Sequence, residues 1–309
     1  MRFLFITIVF VFSFTASLYS QIELKATVKN ENGKVLPYAS IMVKDYANGT
    51  TSDIDGRFVL VLPDSLFNDT LIFSYVGYVR KSICVNDLTD CVSLESKIIS
   101  LNEVIVSVDR GNKNKTIRIH KFRKRNCFIR FKQMSYGDSI FKPTRSKEPS
   151  IEAMYFPYTK DYKDCRKLKE IWIYMVSYSV PSYFGLHIYS VNTNNAPDND
   201  LLNEPKIIRV DHSIGIVKID LENENIWIPD DGIFVGVELL ILPENKLMTD
   251  DLLAPIYSPF LGFSKSKKKE VYWIYSKGRW SYEDYISTSS YFIQRNKNDS
   301  PAISIIVSD

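Results

Sequence analysis

Three histidines, His120, His187 and His212, are the first residues to test for catalysis or metal binding. None belongs to an HExxH pair, and the chain has no GxSxG elbow that would raise a serine nucleophile. His187 lies among alternating aromatics and His212 beside a turn, so each reads as a packed or surface side chain. Ser264-Lys265-Ser266-Lys267 matches SxxK, but in a lysine-rich stretch with no partner motif. The carboxylate pairs Asp230-Asp231 and Asp250-Asp251 are the one constellation that would suit a glycosidase, which needs two acids flanking a scissile bond. Adjacent carboxylates on turns are ordinarily solvated caps. The four cysteines, Cys84, Cys91, Cys127 and Cys165, lack CxxC spacing or clustered histidine, which argues against zinc. The expectation is therefore no catalytic set, no cofactor and no metal. A His–carboxylate pair converging in a deep cleft would overturn it.

Aromatic residues are the stronger lead. Trp172, Trp227, Trp273, Trp280, Tyr282 and Tyr285 lie in the second half of the chain, and such rings both stack on sugar faces and anchor protein interfaces. Trp172 and Trp273 fit core positions. Lys277 to Tyr285 is polar enough to be a loop, so Trp280, Tyr282 and Tyr285 are the expected ligand-binding residues, for a glycan or an envelope protein.

The elements that would carry these residues are strands. The chain has 309 residues, enough for two cores, with 45% hydrophobic and 24% charged residues and 13% aromatics, including 19 Tyr and 18 Phe. A formal charge of +3 points to no nucleic-acid partner. Residues 1–20 read as a signal peptide: Arg2, an apolar run from Phe3 to Phe14, then Ala16, Ser17 and Ser20. That run, roughly 12 residues, is short of the ~20 that a span needs, and no later run reaches it, so no transmembrane span is expected in the mature chain. From Ile22 to Val108 the hydrophobic period is two. Turn signals stand at Asn32-Gly33, Asn48-Gly49, Asp55-Gly56 and Gly77. Phe58, Leu60 and Leu62 alternate with Val59 and Val61, which predicts a strand buried on both faces. Cys84 and Cys91 flank a polar turn, and a hairpin there would bring them within disulfide reach.

The order of these motifs resembles the carboxypeptidase-regulatory-like domain, a seven-stranded transthyretin-like sandwich. The matching residues are Asn30 to Gly33, Leu36-Pro37-Tyr38-Ala39-Ser40-Ile41, Gly49 to Phe58, Leu71 to Tyr78 and Leu101 to Val106. In that family the domain often precedes the plug and barrel of TonB-dependent outer-membrane receptors. The resemblance thus implies an envelope setting, in the periplasm or at the outer membrane or cell surface of a Gram-negative bacterium. It does not imply transport, because some 200 further residues cannot hold a plug and a 22-stranded barrel. Nor does it imply peptidase activity: the regulatory-like domain of metallocarboxypeptidases is an accessory, and no histidine here begins their HxxE zinc motif. Asp53 and Asp55 open a pattern like a calcium loop, but Ser52 to Leu66 contains no Glu to close it. Turn chemistry explains both.

Residues 109–132 are basic, which suits either contact with an acidic glycan or a solvated linker leading into a guarded edge strand; the linker is the preferred reading. From Ser150 the two-residue period resumes. Gly232 to Leu242 reads as a long strand that is apolar on both faces. About nine strands suit a jelly-roll-like sandwich. This half resembles the β-sandwich of uncharacterised exported proteins that carry the same front domain. The expected protein is all-β: signal peptide (1–20), regulatory-like sandwich (21–108), basic linker or edge segment (109–132) and jelly-roll-like sandwich (133–309). Its expected role is that of a non-catalytic envelope binding or structural module, with a carboxylate-dependent hydrolase as the alternative.

Overall fold

The computed structural model describes residues 20–97, 115–129, 148–162, 165–247, 255–266, 270–282 and 299–309. The signal-peptide reading falls on residues 1–20, of which 1–19 lie outside that set. Seven strands form the front domain: β1 (Gln21–Asn30), β2 (Ser40–Val43), β3 (Gly49–Thr51), β4 (Arg57–Pro63), β5 (Thr70–Ser74), β6 (Lys81–Cys84) and β7 (Cys91–Leu94). They divide into a three-stranded sheet, β4-β1-β7, and a four-stranded sheet, β3-β2-β5-β6. Alternation along each strand turns one face inward, so Val28, Ile41, Phe58, Leu62, Phe73 and Leu94 fill the space between the sheets. This is the expected seven-stranded sandwich.

Two details differ from expectation. Strand β4 is buried on one face only, because the front domain has two layers and the outer side of this sheet is uncovered among the described residues, and Val59 and Val61 are about half exposed. Cys84 and Cys91 do not face each other across a hairpin. The chain after β6 makes a short 3-10 turn, Val85–Asp87, that buries Val85 and carries the chain from one sheet to the other. The two cysteines end on different sheets, and no disulfide joins them.

Behind the front domain come β8 (Thr116–Ile119), β9 (Cys127–Phe128), β10 (Ser150–Phe156), β11 (Lys167–Val176), β12 (Ser182–Val191) and β13 (Pro197–Asp200). Next are β14 (Lys206–Val210), β15 (Ile214–Asp220), β16 (Ile233–Leu239), β17 (Lys246–Leu247), β18 (Ile256–Tyr257) and β19 (Phe260–Leu261). The last are β20 (Phe263–Lys265), β21 (Tyr272–Ser276), β22 (Arg279–Tyr282), β23 (Asp299–Pro301) and β24 (Ile303–Ser308). Two antiparallel sheets dominate: β13-β12-β16-β10-β21-β22, with β14 also on β12, and β15-β11-β24-β8. Their inner faces meet over Leu168, Ile171, Ile173, Leu186, Ile188 and Val235. Edge strand β8 belongs to the basic segment. Phe122 and Cys127, farther along that segment, pack on Tyr174 and Val176 of β11.

The larger sheet is covered on both faces, which is why β16 is buried along its whole length apart from Leu239. Its inner side meets the second sheet. Its outer side receives the front domain: Met42 of β2 packs against Ile151, Ala153, Tyr189, Phe234 and Tyr275. Val76, in the turn after β5, is buried in the back-domain core. Backbone contacts fix the docking. The Ile241 N–H donates to Thr51 Oγ1 at 3.0 Å, and the Asp45 N–H donates to the Lys277 carbonyl at 3.0 Å.

Candidate functional site

Because side chains alternate across a strand, Gly185, His187 and Tyr189 of β12 all point to the outer face of the larger sheet. Register places Gly185 opposite Glu238 and His187 opposite Gly236 on β16. Gly185 is needed for a close approach: a Cβ there would lie 2.9 Å from Glu238 Oε2. Without one, the Glu238 carboxylate lies over the strand and meets His187. Nε2 of His187 is 2.9 Å from Glu238 Oε2, and Nδ1 is 2.7 Å from Asp200 Oδ2 on β13. Asp200 is fixed from behind by the N–H groups of Leu202 and Ile188, at 3.0 and 3.3 Å. Glu238 accepts a further hydrogen bond from the Ser40 hydroxyl of the front domain. The imidazole stacks on the Tyr189 ring, with centroids 5.4 Å apart and planes 6° from parallel.

A His–carboxylate group in a cleft is therefore present, contrary to expectation, and it overturns a non-catalytic reading only where the histidine is free to move a proton, which the geometry decides. Burial pushes the His187 pKa down, but the hydrogen bonds and charges of Asp200 and Glu238 outweigh that effect and raise it to about 10. At neutral pH the ring is an imidazolium with both N–H groups donating, so it has no lone pair for a proton or a metal. Ser40 is no nucleophile of the familiar triad type, since its hydroxyl donates to Glu238 and not to the histidine. The cluster is a closed, mutually satisfied network joining the two sandwiches.

Above this network a cleft of about 350 Å³ opens between the domains. The front domain supplies Tyr38, Tyr75, Tyr78, Arg80 and Lys97. The back domain supplies His187, Asp198, Asn199, Asp200, Lys206 and Glu238. Lys97 bonds to Asn199 across the domain boundary. Arg80 is held over the Tyr275 ring, 4.6 Å from its centroid. Gly77 sits in the intervening turn at φ +79°, and a Cβ there would lie 3.1 Å from the Asn203 carbonyl. The turn Tyr75-Val76-Gly77-Tyr78 is thus both a wall of the cleft and the plug that seats the front domain.

The residues singled out from the sequence lie elsewhere. Trp280 and Tyr282 are not on a loop: Lys277 and Gly278, at φ 53° and 77°, close a tight hairpin between β21 and β22. Trp280 is half-buried against Tyr189 and Tyr275, and Tyr282 is more exposed, tilted against Trp273. Neither lines the cleft. Tyr285 lies outside the described residues, as do Asp250, Asp251 and Lys267. Trp172 lies between the Arg118 and Lys218 strands, each cation 4.2 Å from its ring. Asp230 is an exposed partner of Arg166 at 2.7 Å, in the turn before β16. His120 lies away from the cleft, where Nδ1 donates to the Ile303 carbonyl at 2.6 Å and Nε2 meets the Ser300 hydroxyl at 3.1 Å. Among the described residues no group of three His, Cys, Asp or Glu is arranged to hold a metal, and no helix is long and apolar enough to cross a membrane.

The turn and strand that build the front wall are also what comparison with known proteins picks out. Residues 24–106 match the CarboxypepD_reg-like domain family. The front sandwich is a regulatory-like domain, as its motifs imply. Three TonB-dependent receptors of Formosa agariphila are similar over a quarter to a third of the chain. One is 39% identical over 92 residues, 29% of this chain and 9% of the receptor. A second is 41% identical over 78 residues, 25% and 8% of the two chains. A third is 34% identical over 109 residues, 33% and 10%. The chain thus spans about a tenth of the length of these receptors. Among solved structures, the cysteine protease and lectin-like domains of Cwp84, a surface layer associated protein of Clostridium difficile, align with a TM-score of 0.32 at 14% identity, over 52% of this chain and 32% of that one.

Proposed function

We propose that this chain is an exported, non-catalytic module of the Gram-negative cell envelope that binds its ligand, a glycan or a partner protein, in the cleft between its two sandwiches. The observation that carries this reading is the state of the cleft floor. His187, the one histidine lining the cleft, is spent on Asp200 and Glu238, so the cleft floor offers shape and hydrogen bonds and no imidazole free to move a proton. The envelope setting is supported by the regulatory-like domain and by its likeness to TonB-dependent receptors. The test is a glycan array together with a pull-down from an envelope fraction, using the chain from residue 21. Specific capture of a glycan or of a defined envelope protein is the expected result. Turnover on a glycoside or peptide panel that is lost in His187→Gln would replace the reading with an enzymatic one.

A further inference from the structure

Resting on that reading, we infer that the cleft takes a neutral pyranose unit of a glycan, held between the tyrosines of the front domain and the polar β13 segment of the back domain. A pyranose has flat patches of C–H groups and a rim of hydroxyls that each donate and accept. A complementary site needs aromatic rings on one side and mixed donors and acceptors on the other. The cleft has this division by domain. The front contributes three tyrosine rings, Tyr38, Tyr75 and Tyr78. The back contributes carboxylate, amide and ammonium groups at Asp198, Asn199 and Lys206. The volume of about 350 Å³ is at the small end of ligand pockets, which run from roughly 300 to 1,000 Å³, and it suits one or two sugar rings.

Charge favours a neutral ligand over an acidic one. Lys97 is bonded to Asn199 and Lys206 is paired with Glu224, while Asp198 accepts from the Asn199 amide at 2.9 Å. With Glu224 counted, four cations (Arg80, Lys97, Lys206 and the His187 imidazolium) face four carboxylates (Asp198, Asp200, Glu224 and Glu238), so the cleft holds no excess of positive charge to draw in a uronate.

Tyr38 supplies an independent sign that the front wall is built for contact. Its φ is +62°, a left-handed conformation that a bulky residue adopts only when its surroundings impose it. Asparagine accepts this conformation more readily than tyrosine, so the fold alone does not call for a ring here. The ring instead lines the cleft, half-buried.

The test uses the chain from residue 21 and four neutral oligosaccharides, cellohexaose, laminarihexaose, mannohexaose and xylohexaose, with polygalacturonate as the acidic comparison, read by isothermal calorimetry. At least one neutral oligosaccharide is expected to bind. Tyr38→Asn should weaken it tenfold or more while leaving the melting temperature equal or higher, a combination that a merely structural role would not give. Trp280→Ala and Tyr282→Ala should leave binding unchanged. Binding that prefers polygalacturonate, or that is lost in Trp280→Ala and untouched in Tyr38→Asn, overturns the inference. If no sugar binds but a photoreactive residue at position 38 cross-links one envelope protein, the sugar assignment falls and the binding-module reading stands. With neither sugar nor cross-link, both fall.

Discussion

Replacing His187 with glutamine is the sharpest perturbation of the joint between the domains. Glutamine keeps a hydrogen-bonding head of similar reach but removes the positive charge. Asp200 and Glu238 then face each other across the site with no cation between them. Removing one member of a buried ionic group costs about 3–5 kcal/mol. A second route gives the same scale. The rise of the His187 pKa from 6.5 to about 10 is worth on the order of 4–5 kcal/mol at about 1.4 kcal/mol per unit. At about 2–4 °C per kcal/mol for a chain of this size class, His187→Gln should lower the melting temperature at pH 7 by about 10 °C. The pH dependence has a defined sign. A histidine whose pKa is higher folded than unfolded stabilises fully below the unfolded value, and that stabilisation is lost as pH rises from about 6.5 through about 10. The native chain should therefore lose stability over this window, and His187→Gln should be flat there. Scanning calorimetry at pH 7 and pH 10 measures both effects. Adding Glu238→Gln to His187→Gln should recover a large part of the loss, because it removes one of the two stranded charges. A single variant within 1 kcal/mol of the native chain, or a double variant no better than the single, would refute the ionic account of the joint.

Burial raises the Glu148 pKa to about 7, against the lowering effect of the Lys277 N–H and charge, so its contribution has the same sign in a lower window: stability falls as pH rises from about 4.5 to about 7. Glu148→Gln should flatten that slope and stabilise the chain by about 2 kcal/mol at pH 8, as read by urea titration. No disulfide links the four cysteines, so intact mass should be the same with and without reductant; exposed Cys91 should react with a thiol reagent at once and buried Cys165 only on unfolding. Val76→Asp places a charge in the back-domain core and should detach the front sandwich, seen as a larger radius of gyration by solution scattering. Gly185→Ala pushes a methyl to 2.9 Å from Glu238 Oε2 and should cost about 1–3 kcal/mol, measured by thermal melting.

Much of the fold is legible because a strand needs only local signals. Alternation gave the front strands their inner faces, and the positive-φ glycines Gly33, Gly56 and Gly77 marked their turns. What failed were judgements that depend on a neighbour. Val59 and Val61 look like core residues until the sheet that holds β4 proves to be covered on one face only. The segment between Cys84 and Cys91 looks like a hairpin until Val85 drops into the core and the chain changes sheets. Lys277-Gly278 looked like part of a polar loop, although both residues take the positive φ of a two-residue hairpin turn.

The His187 network was hidden for the same reason, since Asp200, Glu238 and Ser40 come from other strands and one from another domain. One local sign was still available. Glu238 is the one charged residue in Ile233–Leu239, a strand otherwise apolar on both faces. A carboxylate in such a strand must find a cation or hydrogen-bond donors, and His187, outward-facing two residues after a glycine, was a fitting partner. The family motif gains a second meaning from this. Phe58, Ala39, Ile41 and Gly56 serve the interior or turns of the front sandwich, and any copy of the domain needs residues of that kind. Ser40, Val76 and Gly77 face the back sandwich instead. In this chain part of the regulatory-like motif is therefore spent on a domain joint, and the cleft exists because that joint closes over a charged floor and leaves the tyrosines beside it at the opening.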